Sequence, residues 1–155
     1  MSDDDRELRV SKIRNGTVID HITGGQALNV LAILGINGSS GEEVSVGMNV
    51  PSDRMKRKDI VKVEGRELSQ NEVDVLSLIA PAATINIVRD YEVVEKHRVE
   101  TPSEVVGVLS CPNHNCITTA QEPVESRFEV LDEGVRCVYC DTIIRQNIAE
   151  HIEVE

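Results

Sequence analysis

The chain has 155 residues, and its 16 Lys and Arg against 27 Asp and Glu leave a formal net charge of -11. That length sets one ordinary domain or two small ones, and that charge repels a phosphate backbone, which counts against a nucleic-acid module. One Phe, two Tyr and no Trp leave the core to aliphatic side chains, and no stretch approaches the roughly 20 apolar residues of a membrane helix.

The start, M-S-D-D-D-R-E, is acidic and lacks the basic-then-apolar pattern of an export signal. Cytoplasm is therefore expected, where thiols stay reduced and metal is favoured over disulfides. The acidic excess also suits a saline cytoplasm. A unit this small gains from a metal staple or a partner subunit.

G-T-V-I-D-H-I at 16–22 reads as a strand with Val18 and Ile22 on one side and Ile19 on the other. Q-A-L-N-V-L-A-I-L at 26–34 places Ala27, Leu28, Leu31 and Leu34 at helical spacing. After a turn at S-S-G, Val44, Val46, Met48 and Val50 alternate on one face of a strand. P-S-D at 51–53 reads as the next turn, followed by a strand over 57–64. Ser69 and Glu72 form a capping-box pattern behind Leu68, so a helix begins there and buries Val73, Leu76 and Ile79 or Ala80 before Pro81 stops it. Segments 83–89 and 91–96 are two more strands.

The order strand, helix, strand, strand, helix, strand is the split βαβ, ferredoxin-like arrangement with one extra strand. Right-handed crossings put both helices on one face. The other face needs a ligand or a partner subunit to cover it, a first sign of oligomerisation. The polar stretch 97–104 reads as a domain boundary, dividing the chain into residues 1–100 and 101–155. Within the second part, 127–131 and 141–148 read as short strands of a small β domain. The whole is an α+β chain.

Cys111 and Cys116 in C-P-N-H-N-C pair with Cys137 and Cys140 in C-V-Y-C. Two such knuckles complete a tetrahedral four-sulfur site with no position open for water, which points to structural zinc whose binding is part of folding. Iron would fit the same geometry, but nothing else in the chain suggests a redox partner. His114, between the first two cysteines, reads as a solvent-facing loop residue or a hydrogen-bond donor behind the ligands. Zinc deaminase chemistry needs an H-x-E motif ahead of a C-x-x-C pair and an open site; the H-x-E at 151–153 follows all four cysteines, and the four-sulfur site is closed.

Several blocks together resemble one family. K-I-R-N-G-T-V-I-D-H-I at 12–22, N-V-P-S at 49–52, R-K-D-I-V-K-V-E at 57–64, Y-E-V-V-E-K at 91–96 and C-P-N-H-N-C-I-T at 111–118 are similar to the regulatory chain of aspartate carbamoyltransferase. E-P-V at 122–124 and C-V-Y-C add to the likeness, which spans roughly residues 8–148. The resemblance implies a ferredoxin-like nucleotide-binding domain that pairs with a second copy, followed by a rubredoxin-like zinc domain that docks on the separate catalytic chain. It implies allosteric control of pyrimidine biosynthesis, with ATP activating and CTP, in some members with UTP, inhibiting. Carried over by position, it places base and ribose contacts at Lys12, Ile13, Val18, Asp20, Ile60, Lys62, Asn86, Tyr91 and Val93. His21 and Lys96 fall near the triphosphate, with Val88 along the same wall. Asp20 can accept from ribose hydroxyls, the lysines and a protonated His21 can offset phosphate charge, and backbone groups near Lys12, Ile13 and Tyr91 can read a base edge.

Taken singly, these residues have plainer readings. Lys62 and Lys96 would be solvated strand residues, Asp20 a strand-end cap, Asn86 a polar edge residue and His21 structural. Ile13, Val18, Ile60, Val88 and Val93 would be sheet core, which a base pocket also resembles. R-M-K-R-K at 54–58 would be a solvated turn, with Arg57 and Lys58 serving interdomain or subunit contacts. The reading that results is a non-catalytic, zinc-bearing allosteric subunit. Its rivals are a zinc-ribbon module for nucleic acid and, behind that, an enzyme.

Overall fold

A computed structural model describes residues 13–39, 41–53, 55–119 and 124–152. The first part runs β1 (Gly16–Thr23), α1 (Ala27–Ile33), β2 (Val44–Ser52), β3 (Lys56–Glu64), α2 (Gln70–Ser77), β4 (Thr84–Arg89) and β5 (Glu92–Arg98). Its sheet has the order β2-β3-β1-β4-β5 with every neighbour antiparallel. This is the split βαβ order, with the extra strand added beside β4. The second part is a four-stranded sheet ordered β6 (Glu104–Val106), β7 (Arg127–Leu131), β8 (Gly134–Cys137) and β9 (Ile143–Ile144), with 3-10 turns at Ile117–Thr119 and Ile148–His151. Among the described residues no helix is long and apolar enough to cross a membrane.

Helix α2 starts as its sequence dictates. The Ser69 hydroxyl accepts the Glu72 N–H at 3.2 Å, and the Glu72 carboxylate accepts the Ser69 N–H at 3.0 Å. Val73, Leu76, Ile79 and Ala80 then pack with Ile19, Ile22, Val61, Val63, Ile85 and Ile87 in the core between helices and sheet. Helix α1 buries Ala27, Val30 and Leu34 there, while Leu28 is 62% exposed. Val30 therefore takes the inward position expected of Leu28.

Two β-bulges overturn the simple alternation of the strands. In β1 the register with β3 shifts between Ile19 and Ile22, and His21 has φ 57. One extra residue turns Ile22 onto the same buried face as Ile19, leaving Val18 on the opposite face. In β2 the shift lies between Gly47 and Val50, with Asn49 at φ 55. Val44 and Val46 pair with Val63 and Val61, whereas Val50 pairs with Lys58, so the four expected residues do not share a face. Strand β2 also continues through Pro51 to Ser52, where a turn was expected. An edge strand tolerates this proline because its N–H side needs no partner.

The second part departs from its sequence pattern more. Strand β8 was not anticipated, and the expected strand at 141–148 shrinks to Ile143–Ile144. Asp141 at φ 62 and Asn147 at φ 56 break extended geometry on both sides of it. Phe128, the chain's single phenylalanine, is fully buried with Leu109, Val135, Ile144 and three of the cysteines. Val75 of α2 belongs to this cluster, one position from Leu76 in the other core. Helix α2 is thus packed on both sides, and Ile152 touches both cores from the far end of the chain.

Candidate functional site

The sheet face without helices carries several of the residues singled out for nucleotide. Register places Lys62 opposite Val18, Val18 opposite Asn86, and Asn86 opposite Lys96, one row across β3, β1, β4 and β5. A lysine stands at each end, with an apolar side chain and an amide between them. Directly opposite residues on one face lie close enough to act on a common ligand. The next row up pairs Gly16 with Val88 and Val88 with Val93. At Gly16 a Cβ would lie 2.1 Å from the Val63 carbonyl oxygen, so only glycine fits. Val88 and Ile13 are buried, Ile60, Val18, Lys62 and Asn86 are half-buried, and Lys96 and Val93 are exposed.

The β1 bulge delivers two polar residues in succession beside this row. Asp20 pairs with Thr84, and the His21 ring nitrogen Nδ1 lies 2.7 Å from the Thr84 hydroxyl. Lys58 reaches into the same place, its ammonium 2.9 Å from the Asp20 carboxylate. Its basic run reads as a solvated turn, yet Lys58 is half-buried here. Its period-two spacing with Ile60 and Lys62 was the signal that puts it on this face. Arg57, its neighbour, donates instead to the Asn49 carbonyl at 2.9 Å.

Tyr91 occupies the turn between β4 and β5 with its side chain 63% exposed. Its N–H donates to the Arg14 carbonyl at 2.9 Å, so this one of the backbone groups expected to read a base edge is engaged within the chain. Lys12 lies outside the described residues.

The four cysteine sulfurs lie within 4.8 Å of one another. Cys111 and Cys140 are 3.6 Å apart at sulfur, and Cys116 and Cys137 3.7 Å. Disulfide sulfurs stand about 2.05 Å apart. Four sulfurs set about 2.3 Å from a central ion have an edge of about 3.8 Å. The thiols therefore have the spacing of a tetrahedral metal site. Hydrogen bonds shape the cage, with the Thr118 hydroxyl donating to Cys116 at 3.1 Å and Thr142 meeting Cys140 at 3.1 Å. Burial pushes the Cys111 thiol up to about 12 and raises Cys137 as well. At Cys140 burial acts the same way, but hydrogen bonds with Thr142, Asn113 and Cys111 together outweigh it and bring the thiol down to about 6. His114 is exposed and is not one of the grouped ligands.

Comparison with known proteins matches both parts of the chain. Residues 8–100 match the family described as aspartate carbamoyltransferase regulatory chain, allosteric domain, and residues 103–150 match the metal binding domain of the same regulatory chain. A relative from Natronomonas pharaonis, an aspartate carbamoyltransferase regulatory chain, is 80% identical over 150 residues, covering 97% of this chain and 98% of its own. Regulatory chains from Haloarcula marismortui and Methanoculleus marisnigri are 77% and 59% identical, covering 100% and 97% of this chain and the same shares of their own.

Proposed function

Because the chain belongs to the family of aspartate carbamoyltransferase regulatory chains and is a non-catalytic subunit, we propose that it binds nucleoside triphosphates on the open face of its first sheet. The row Lys62, Val18, Asn86 and Lys96 carries this reading. Its cations suit a triphosphate, its middle suits a base or sugar, and Asp20 beside it can accept from ribose hydroxyls. ATP and CTP are the expected effectors, with UTP a further one.

The metal is zinc, held by Cys111, Cys116, Cys137 and Cys140 in the reducing cytoplasm. Bound there, it supplies structural energy and no open coordination position. Ile117 and Tyr139 ride on the two cysteine loops and are 50% and 47% exposed. An apolar patch built on the metal loops suits docking to the catalytic chain. Two copies associate through the first domain, where Val46 and Met48 stand exposed on the edge strand β2. Effector binding reaches the catalytic chain through α2, which is packed into both cores. Substrate analogues on the partner must then change nucleotide affinity by the same coupling free energy.

Calorimetry of the zinc-loaded chain with ATP and CTP tests the site. Saturable binding is expected, weakened in a chain carrying Asp20→Ala and Lys62→Ala. No binding at high nucleotide would leave the metal domain as an assembly device without an effector site beside it. Within the basic run, Arg57 and Lys58 are engaged with Asn49 and Asp20.

A further inference from the structure

We propose that Asp59 is a positioning residue of the effector site, binding the turn after the effector strand and the bulge of the edge strand into one unit. The inference rests on the effector reading of the open face. Asp59 is 0% exposed. One carboxylate oxygen accepts the N–H of Gly25 at 2.9 Å and of Ala27 at 2.8 Å, and the other accepts the N–H of Asn49 at 2.8 Å. Gly25 and Ala27 lie in the segment by which β1, just past Asp20 and His21, enters α1. Asn49 is the left-handed residue of the β2 bulge.

Both bulges therefore sit against the same point of β3. Asp59 pairs with Ile22, directly after the bulged residues of β1, and its neighbour Lys58 holds Asp20. Arg57, two residues before Asp59, takes the carbonyl of Asn49, so β3 grips that residue at both its N–H and its C=O. A shift of Asp20 and His21 along β1 moves Gly25 and Ala27 against the carboxylate that also fixes Asn49. A buried anion with three N–H donors is costly to leave half-satisfied, so these contacts move together. Nucleotide binding on β1 is in this way carried to the edge of the sheet.

The test uses the full zinc-loaded chain with ATP as the probe and amide hydrogen exchange read residue by residue. In the wild type, saturating ATP slows exchange at Gly25, Ala27 and Asn49 together, by about threefold or more. Asp59→Asn lowers ATP affinity by about tenfold, which is ~1.4 kcal/mol. It also abolishes the ATP response at Asn49 while that at Val18 persists. A purely structural Asp59 would lower the melting temperature but leave the joint exchange response and the affinity in place, and that result overturns the proposal. Wild-type binding with unaltered exchange at the three amides also overturns it, even where the variant fails to fold. Absence of ATP binding by the wild type removes the effector reading itself, and this inference with it.

Discussion

The Lys58 ammonium lies 2.9 Å from the Asp20 carboxylate, joining β3 to β1 at the point where β1 bulges. Both side chains are largely shielded, at 17% and 25% exposure, so the pair is screened less than a surface ion pair. It orients Asp20 and balances its charge.

Replacing that lysine should be felt in binding. Lys58→Gln is expected to weaken ATP by about tenfold, or ~1.4 kcal/mol, in calorimetry. Adding Asp20→Asn should cost less than the two separate losses summed, because the residues are in contact. Strict additivity would mean that the pair does not act on the nucleotide as a unit.

Val75 is the α2 residue that packs into the metal-bearing core, while Val73 and Leu76 pack into the other. Val75→Ala should cost about 2 kcal/mol from lost burial and a cavity. It should also split the calorimetric melt into two transitions and blunt the response of the catalytic chain to nucleotide. Val73→Ala should cost a similar amount without separating the transitions.

Metal affinity should fall with pH in a defined way. Each thiol must lose its proton to become a ligand, so acid always opposes binding. Loss of the metal unfolds the second domain, so the thiols of the metal-free chain titrate near the ordinary cysteine value of about 8.5. Proton release on zinc binding should therefore increase as pH drops through that range. Calorimetry in buffers of different ionisation enthalpy reads this directly. Full chelation at neutral pH should unfold the second domain, release the catalytic chain and spare much of the nucleotide binding.

Tyr91 sits at φ 67 directly after Asp90 at φ 50, a left-handed pair in a two-residue turn between β4 and β5. A bulky side chain is strained there, and its exposed ring returns little packing energy. Tyr91→Gly should raise stability by about 1 kcal/mol, seen as a higher melting temperature. A lower melting temperature would mean that the ring supports the turn.

Where local chemistry decides, the sequence was readable. The capping box of Ser69 and Glu72 and the gathering of four cysteines depend on short spacings, and both are present. The strand and helix order followed from periodicity in the same way. The bulges at His21 and Asn49 did not, because a left-handed non-glycine residue carries no reliable signature, and Asn49 is held by the distant Asp59. That single shift is why Ile22 was assigned to the wrong face. The partnership of Lys58 with Asp20 was hidden because a basic run reads as a solvated turn. In the second domain the cysteine cage and β8 replace the longer apolar runs from which strands are recognised.

The two edges of the first sheet are unlike. Strand β5 is exposed along its whole length and presents Glu92, Glu95, Lys96, His97 and Arg98. Strand β2, at the other edge, has no ionisable side chain from Val44 to Ser52. Charge guards one border against strand addition and leaves the other open. The proposed pairing of two copies through β2 is then self-terminating, since a twofold contact consumes the open border of each copy and the outward borders refuse a third. The same asymmetry that permits a dimer forbids a fibre.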